Sequence, residues 1–171
     1  MMVSNLGYFS RRLTLKKFRG KKRYFRKLWR KVDFFNLEID NESRFYFWHI
    51  HLDFYGVGNQ SLKVRREHIK AQLILYEKLL KELESFQVPY QSWICIHEED
   101  TGSDAVYIHT PNPNDDYFPH LPSGLNWSCE IPISFREFID QDKYNVGYYK
   151  SEYEETYFIQ SKIHGIPLNS Y

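Results

Sequence analysis

The chain has 171 residues, 42% of them hydrophobic and 18% aromatic, and a formal net charge of +1, a composition too apolar for a disordered chain. Its length is sufficient for one domain with its own core, and its two cysteines, Cys95 and Cys129, exclude a disulfide scaffold and a four-cysteine zinc site. The apolar runs are too short for a membrane span or a signal peptide, so we expect a cytoplasmic protein without a transmembrane segment.

The small net charge conceals a division of the chain into a basic and an acidic part. Residues 1–31 contain twelve Lys or Arg and no acidic residue, whereas residues 32–171 contain 11 basic and 22 acidic residues. Such an asymmetry concerns partners rather than the fold. We therefore divide the chain into a basic N-terminal segment, residues 1–31, and a single domain, residues 32–171.

The basic segment is predicted to be partly helical, with a helix that begins after Gly20. Four apolar residues follow the i, i+3, i+4, i+7 spacing of one helical face: Phe25, Leu28, Trp29 and Val32. A basic helix with interleaved aromatic residues can bind nucleic acid or anionic lipid, which makes residues 11–31 a candidate nucleic-acid interface. Alternatively, the apolar face packs on the domain and the bases stay in solvent.

A strand and a long helix follow. Residues 44–54, "RFYFWHIHLDF", alternate in the period of a strand and end at the turn "YGVGN". A long amphipathic helix is predicted over about residues 62–86, with Ser61 as its N-cap. Its apolar stripe repeats at 4-3-4-3 spacing: Ile69, Leu73, Tyr76, Leu80 and Leu83.

The remaining strands are predicted in pairs. Residues 91–99 and 104–110 flank the short turn "DTGS" and indicate an antiparallel hairpin, and residues 144–152 and 155–162 indicate a second one. The four prolines of residues 111–127 predict a loop.

A short helix is predicted over residues 133–139, with Ser134 as its cap. Together the predicted elements define an α+β fold. A mainly antiparallel sheet has the long amphipathic helix packed on one face, and the basic N-terminal helix is added to it.

Alternation along the strands predicts which side chains share a face of the sheet. If the aliphatic side chains turn toward the long helix, the opposite face collects four of the seven histidines. We call this side the histidine face and define it by six residues: His49, His51, Cys95, His97, Tyr107 and His109. Three interpretations of it stay open.

The first interpretation is a metal-dependent hydrolase with one divalent metal, for which zinc suits imidazole best. The candidate ligands are His49, His51, Asp53, His97 and His109. The second is an acid–base pair of a histidine and Asp53, with acidic residues nearby. The third needs no cofactor and gives the histidines a role in structure or binding.

The loop of residues 111–127 presents aromatic side chains beside carboxylates, a combination that suits a protein interface. The candidate partner-binding residues are Glu98, Glu99, Asp100, Asp115, Asp116, Tyr117 and Phe118. Alternatively, Tyr117 and Phe118 fold back on the core.

Three short motifs, W-H-x-H, G-x-G-N and H-T-P-N-P-N, lie within residues 45–120. Together they resemble small bacterial immunity proteins, which are encoded beside polymorphic or contact-dependent toxins. The resemblance implies a protein that binds its cognate toxin and performs no chemistry. An acidic, aromatic-rich domain would suit a cationic toxin such as a nuclease. We therefore expect a toxin-neutralising binding protein rather than an enzyme, with a metal-dependent hydrolase and a nucleic-acid-binding protein as the alternatives.

Overall fold

The structure is a computed structural model. It describes residues 20–38, 47–52, 62–85, 90–97, 104–109, 121–122, 124–152 and 155–163. Its helices are α1 (Lys21–Phe34) and α2 (Leu62–Leu83). Its strands are β1 (Phe47–His51), β2 (Gln91–His97), β3 (Ala105–His109), β4 (Tyr144–Lys150) and β5 (Glu155–Ser161).

The five strands form one sheet in the order β1-β3-β2-β5-β4. Every neighbouring pair is antiparallel, and the β2–β3 and β4–β5 hairpins pair as predicted. The α+β fold class with an antiparallel sheet is thereby confirmed. None of the described helices is long and apolar enough to cross a membrane.

Helix α2 forms the centre of the core. All five residues of the predicted stripe are buried: Ile69, Leu73, Tyr76, Leu80 and Leu83. The Tyr76 hydroxyl donates to the carbonyl oxygen of Ser92 at 3.0 Å and accepts from the backbone N–H of Ser161 at 3.3 Å, which links α2 to β2 and β5. The predicted N-cap, Ser61, lies outside the described residues.

The two faces of the sheet differ as the alternation predicts. Ile94, Ile96 and Ile108 belong to the core cluster that contains α2. On the opposite side, Trp93, Cys95 and Phe158 form a second, smaller cluster. The assignment of aliphatic side chains to the helix side is therefore confirmed.

Helix α1 packs against α2 through its apolar side. Leu28 and Val32 are each only 2% exposed. Trp29 Nε1 donates to Glu67 Oε1 at 2.7 Å. Lys78 Nζ reaches from α2 to the end of α1 and donates to the carbonyl oxygens of Asp33 at 3.0 Å and Phe35 at 2.5 Å. The predicted packing of the apolar face on the domain is therefore present. Binding of nucleic acid by residues 11–31 stays a prediction, and residues 11–19 lie outside the described residues.

Two predicted elements are shorter than expected. In place of a helix over residues 133–139 there is a 3-10 helix, Arg136–Phe138, and Ser134 does not cap it. Phe135 and Ile139, on either side of this turn, are both buried. Helix α2 ends at Leu83, its last buried residue, and Glu84 and Ser85 form an exposed turn.

The outer edge of β4 is partly covered by the segment before it. Asn126 pairs with Tyr148 through two backbone hydrogen bonds of 2.9 and 3.0 Å. Next to this bridge, the Trp127 ring lies on Gly147 so closely that a Cβ there would be 3.0 Å from a ring carbon. A glycine is required at this position because of the space, not because of its backbone angles.

Candidate functional site

The outer side of α1 carries a continuous basic surface. We call it the basic face of α1 and define it by six exposed residues: Lys22, Arg23, Arg26, Lys27, Arg30 and Lys31. At 100° per residue these six side chains span half of the helix circumference, and the apolar residues occupy the other half. The face is about 14 Å long at 1.5 Å per residue.

Most charges of this face are not neutralised within the described fold. Five of its members form no ion pair with any other described residue: Lys22, Arg23, Arg26, Lys27 and Arg30. By contrast, α2 directs its cations to protein atoms. Arg65 Nη2 donates to the carbonyl oxygen of His97 at 2.5 Å, and Arg66 pairs with Glu137.

The residues at the N-terminal end of α1 do not stabilise the helix. Three bases and no acid occupy its first turn, where the helix dipole favours negative charge. Gly20 precedes the helix with φ +89° and supplies no side-chain cap. Packing on α2, rather than favourable end chemistry, therefore holds this helix in place.

On the histidine face, two histidines meet between β1 and β3. His49 Nε2 lies 3.0 Å from His109 Nε2, so one ring donates and the other accepts. Tyr107 and Trp93 continue the cluster, with the Tyr107 ring 4.3 Å from His49 and 5.7 Å from Trp93. Burial and, to a lesser extent, the neighbouring His51 lower the pKa of His49, which favours the neutral ring.

A different group of polar side chains lies at the other end of β2. His97 Nε2 is 3.5 Å from Cys95 Sγ, and His97 Nδ1 is 3.0 Å from Thr156 Oγ1. A thiol, an imidazole and a hydroxyl in this order can form a nucleophile, base and orienting group. However, Cys95 is only 5% exposed and packs with Trp93 and Phe158, so this arrangement is built as part of the interior.

A buried acid–histidine contact lies beside this group. His68 Nδ1 of α2 is 3.6 Å from Asp104 Oδ2, and Asp104 Oδ1 accepts from the backbone N–H of His97 at 2.8 Å. The three residues join α2 to the β2–β3 hairpin. Sequence alone offered no signal for this contact or for Thr156, because each partner comes from a distant element.

The predicted metal ligands are only partly brought together. His49 and His109 are in contact, and His51 lies on the same side of β1 and is exposed. His97 lies six residues further along β2 than the position opposite His109, which is about 20 Å along the strand. Asp53 lies outside the described residues.

Within the part of the chain that the structure describes, no group of three or more His, Cys, Asp or Glu side chains could hold a metal ion. The predicted ligand set separates into the His49–His109 pair and a remote His97. The metal-dependent hydrolase stays a prediction, and its remaining candidates are His49, His51, Asp53 and His109.

The predicted partner-binding residues cannot be placed in the same way. Glu98, Glu99, Asp100, Asp115, Asp116, Tyr117 and Phe118 all lie outside the described residues. The acidic interface therefore stays a prediction.

An open groove of about 490 Å³ lies beside the outer edge of β4. It is lined by Trp127, Cys129, Arg136 and Asn145, among others. Cys129 Sγ donates to the carbonyl oxygen of Val146 at 3.5 Å, and burial raises the pKa of this thiol. A thiol in this state is a poor nucleophile, so the groove does not have the chemistry of a cysteine enzyme.

Comparisons of the chain with protein families, with curated proteins and with solved structures find no match. No relative therefore transfers a function to this chain, and the resemblance to immunity proteins stays a prediction. The charge and geometry of the described residues are what point to a function.

Proposed function

We propose that the protein binds nucleic acid through the basic face of α1. One observation carries the proposal: the apolar half of α1 is packed on the domain, with Leu28 and Val32 buried, while the six bases of the other half are exposed. A cationic surface held at a fixed orientation can follow a row of phosphates. The release of counterions from those phosphates would drive the binding.

A nucleic acid fits this face better than a membrane or another protein. An interfacial helix binds a membrane by burying its apolar side in the lipid, but in α1 that side is already packed against the domain. The centres of protein interfaces are depleted in charged residues, whereas this face consists of six bases. A dense row of bases is typical of surfaces that contact phosphates. We place the protein in the cytoplasm, where it would meet nucleic acid.

The test is fluorescence anisotropy of labelled oligonucleotides with the full chain over a series of salt concentrations. Six phosphate contacts predict that log K falls with log salt at a slope of about −5. Replacing Arg23, Arg26 and Arg30 by Gln should reduce the steepness of this slope by about 2 to 3 and weaken binding at every salt concentration.

A matched control removes three exposed bases of α2 instead: Lys63, Lys70 and Lys81, each to Gln. The control variant has the same net charge as the first and should bind almost as well as the natural chain. If both variants lose affinity equally, the binding is a general charge effect and the proposal fails. Circular dichroism of both variants verifies that the fold is retained.

Toxin neutralisation is the second candidate function, with a cognate toxin, such as a basic nuclease, as the partner. It is supported by the charge of residues 32–171, which contain 11 basic and 22 acidic residues and would attract a cationic partner. This function needs no cofactor.

The second candidate is tested by coexpression with the product of the neighbouring gene. Survival of cells that produce both proteins, and death of cells that produce the neighbour alone, would support neutralisation. Replacing Asp115 and Asp116 by Lys should then abolish protection, whereas the same change at Asp142 and Glu152 should not. Protection that survives the first pair of substitutions would exclude that surface.

A further inference from the structure

Phe34, the last residue of α1, is the most exposed large apolar side chain among the described residues, at 80%. It follows Arg30 by four residues and Lys31 by three, so it is their neighbour on the helix surface. Its direction around the helix, at 100° per residue, falls within the half that carries the basic face. The aromatic ring therefore ends the row of bases instead of joining the packed side of the helix.

Within the described residues, the fold does not use this ring. No described side chain stacks on Phe34 or lies over it, whereas Phe25 on the packed side has Tyr24 at its edge and Lys21 over its ring. Exposing an aromatic ring of this size to water is unfavourable. A ligand that covers the ring would remove this cost.

The charge changes at the same end of the helix. Asp33 is exposed and directly precedes Phe34. The carbonyl oxygens at this end accept from Lys78 Nζ, which offsets the negative end of the helix dipole, so the Asp33 carboxylate supplies the negative charge there. A phosphate is therefore favoured along Lys22–Lys31 and disfavoured beside Asp33, while a flat uncharged group is favoured there.

We infer that Phe34 stacks on an unpaired base of a single-stranded nucleic acid whose phosphates lie along the basic face of α1. This inference rests on the proposed nucleic-acid-binding function and names its substrate class. An aromatic side chain can stack on any base but needs that base to be unpaired, and such stacking contributes substantially to single-strand binding. Bases that are paired and stacked in a duplex do not expose the flat side on which the Phe34 ring could stack.

The experiment compares the affinities of the full chain for a single-stranded oligonucleotide of about 16 nucleotides and for the corresponding duplex. Phe34→Ala should weaken single-strand binding roughly tenfold and leave duplex binding unchanged. Phe34→Trp should bind the single strand about as tightly as the natural chain, because an indole ring can stack on a base as well. A purely structural role of Phe34 does not predict this result. Ile163→Ala is the matched control because Ile163 is 74% exposed and lies far along the chain.

The outcomes separate this inference from the proposed function. If the natural chain binds neither oligonucleotide, the proposed function fails. If it binds both and Phe34→Ala has no effect, or weakens both equally, the stacking fails and the phosphate contacts stand. Vesicles of phosphatidylcholine and phosphatidylserine are the third probe, and binding to them that depends on Phe34 would replace the base by a lipid and overturn the inference.

Discussion

Helices α1 and α2 pack into the same core, but they contribute to the protein in different ways. Eleven residues of α2 are buried, compared with two of α1. Three cations of α2, Arg65, Arg66 and Lys78, contact protein atoms, whereas most bases of α1 contact no described acid. The comparison indicates that a few buried residues suffice to place a helix, and that charges which the fold does not use are available for a ligand.

The largest expected effect lies in the α2 core. Leu79 is fully buried, and Leu79→Ala should lower the free energy of unfolding by about 4 kcal/mol, because it removes buried atoms and leaves a cavity. Ile74→Ala is the control on the same helix, since Ile74 is 41% exposed. Urea unfolding followed by circular dichroism measures both, and equal losses would contradict the central role of the buried side of α2.

The next effect is a loss of stability at alkaline pH. Burial raises the pKa of Tyr76 to about 12. In the unfolded chain a tyrosine ionises near pH 10, so the folded state keeps the hydroxyl proton of Tyr76 up to a higher pH. The contribution of this proton to the free energy of unfolding is complete below about pH 10. It should be lost between about pH 10 and 12, by roughly 2.5 kcal/mol.

Unfolding measured across this range with Tyr76→Phe isolates the contribution, because all other tyrosines are unchanged. The difference in stability between the natural chain and the variant should shrink as the pH rises. A constant difference would assign the alkaline sensitivity to other groups.

A smaller effect is expected at the contact between the two helices. Leu28→Ala should cost about 2 kcal/mol, at the low end for a buried leucine, because α1 is peripheral and can adjust. Trypsin should then cleave within Lys21–Lys31 sooner while α2 stays protected. Phe34→Ala controls for a loss of helix surface without loss of packing. Faster cleavage of both helices together would mean that α1 and α2 unfold as one unit.

The smallest effect is expected at the end of α1. Lys78→Met keeps the packing of the side-chain stem but removes its hydrogen bonds to the carbonyl oxygens of Asp33 and Phe35, for a cost of about 1 kcal/mol. Lys81→Met is the matched control on the exposed side of α2. Thermal unfolding compares the two, and an equal change in midpoint would show that these hydrogen bonds add nothing.

The elements that depend on local periodicity could be predicted. The stripe from Ile69 to Leu83 has the spacing of a helix, and the alternation of Ile94 and Ile96 with Trp93 and Cys95 has that of a strand, so each pattern determines which side is buried. The candidate ligand set depends on strand order and register, which are not local. His97 and His109 lie on adjacent strands, but the register of β2 and β3 separates them.

The basic face of α1 could be predicted in part. The spacing of Phe25, Leu28, Trp29 and Val32 indicated the apolar side, but whether that side meets the domain, lipid or nucleic acid depends on partners elsewhere in the chain. Glu67 and Lys78 are such partners, and no local pattern identifies them. The exposure of Phe34 was not predicted, although at 100° per residue its position falls among the bases and not on the apolar face.

The bridge between Asn126 and Tyr148 has a consequence for self-association. An edge strand with free N–H and carbonyl groups can recruit a strand from another copy of the chain, which is the first step toward aggregation. Here Asn126 occupies both hydrogen-bonding groups of Tyr148, and Trp127 covers the strand beside it at Gly147. The segment before β4 thus blocks the addition of another strand at Tyr148.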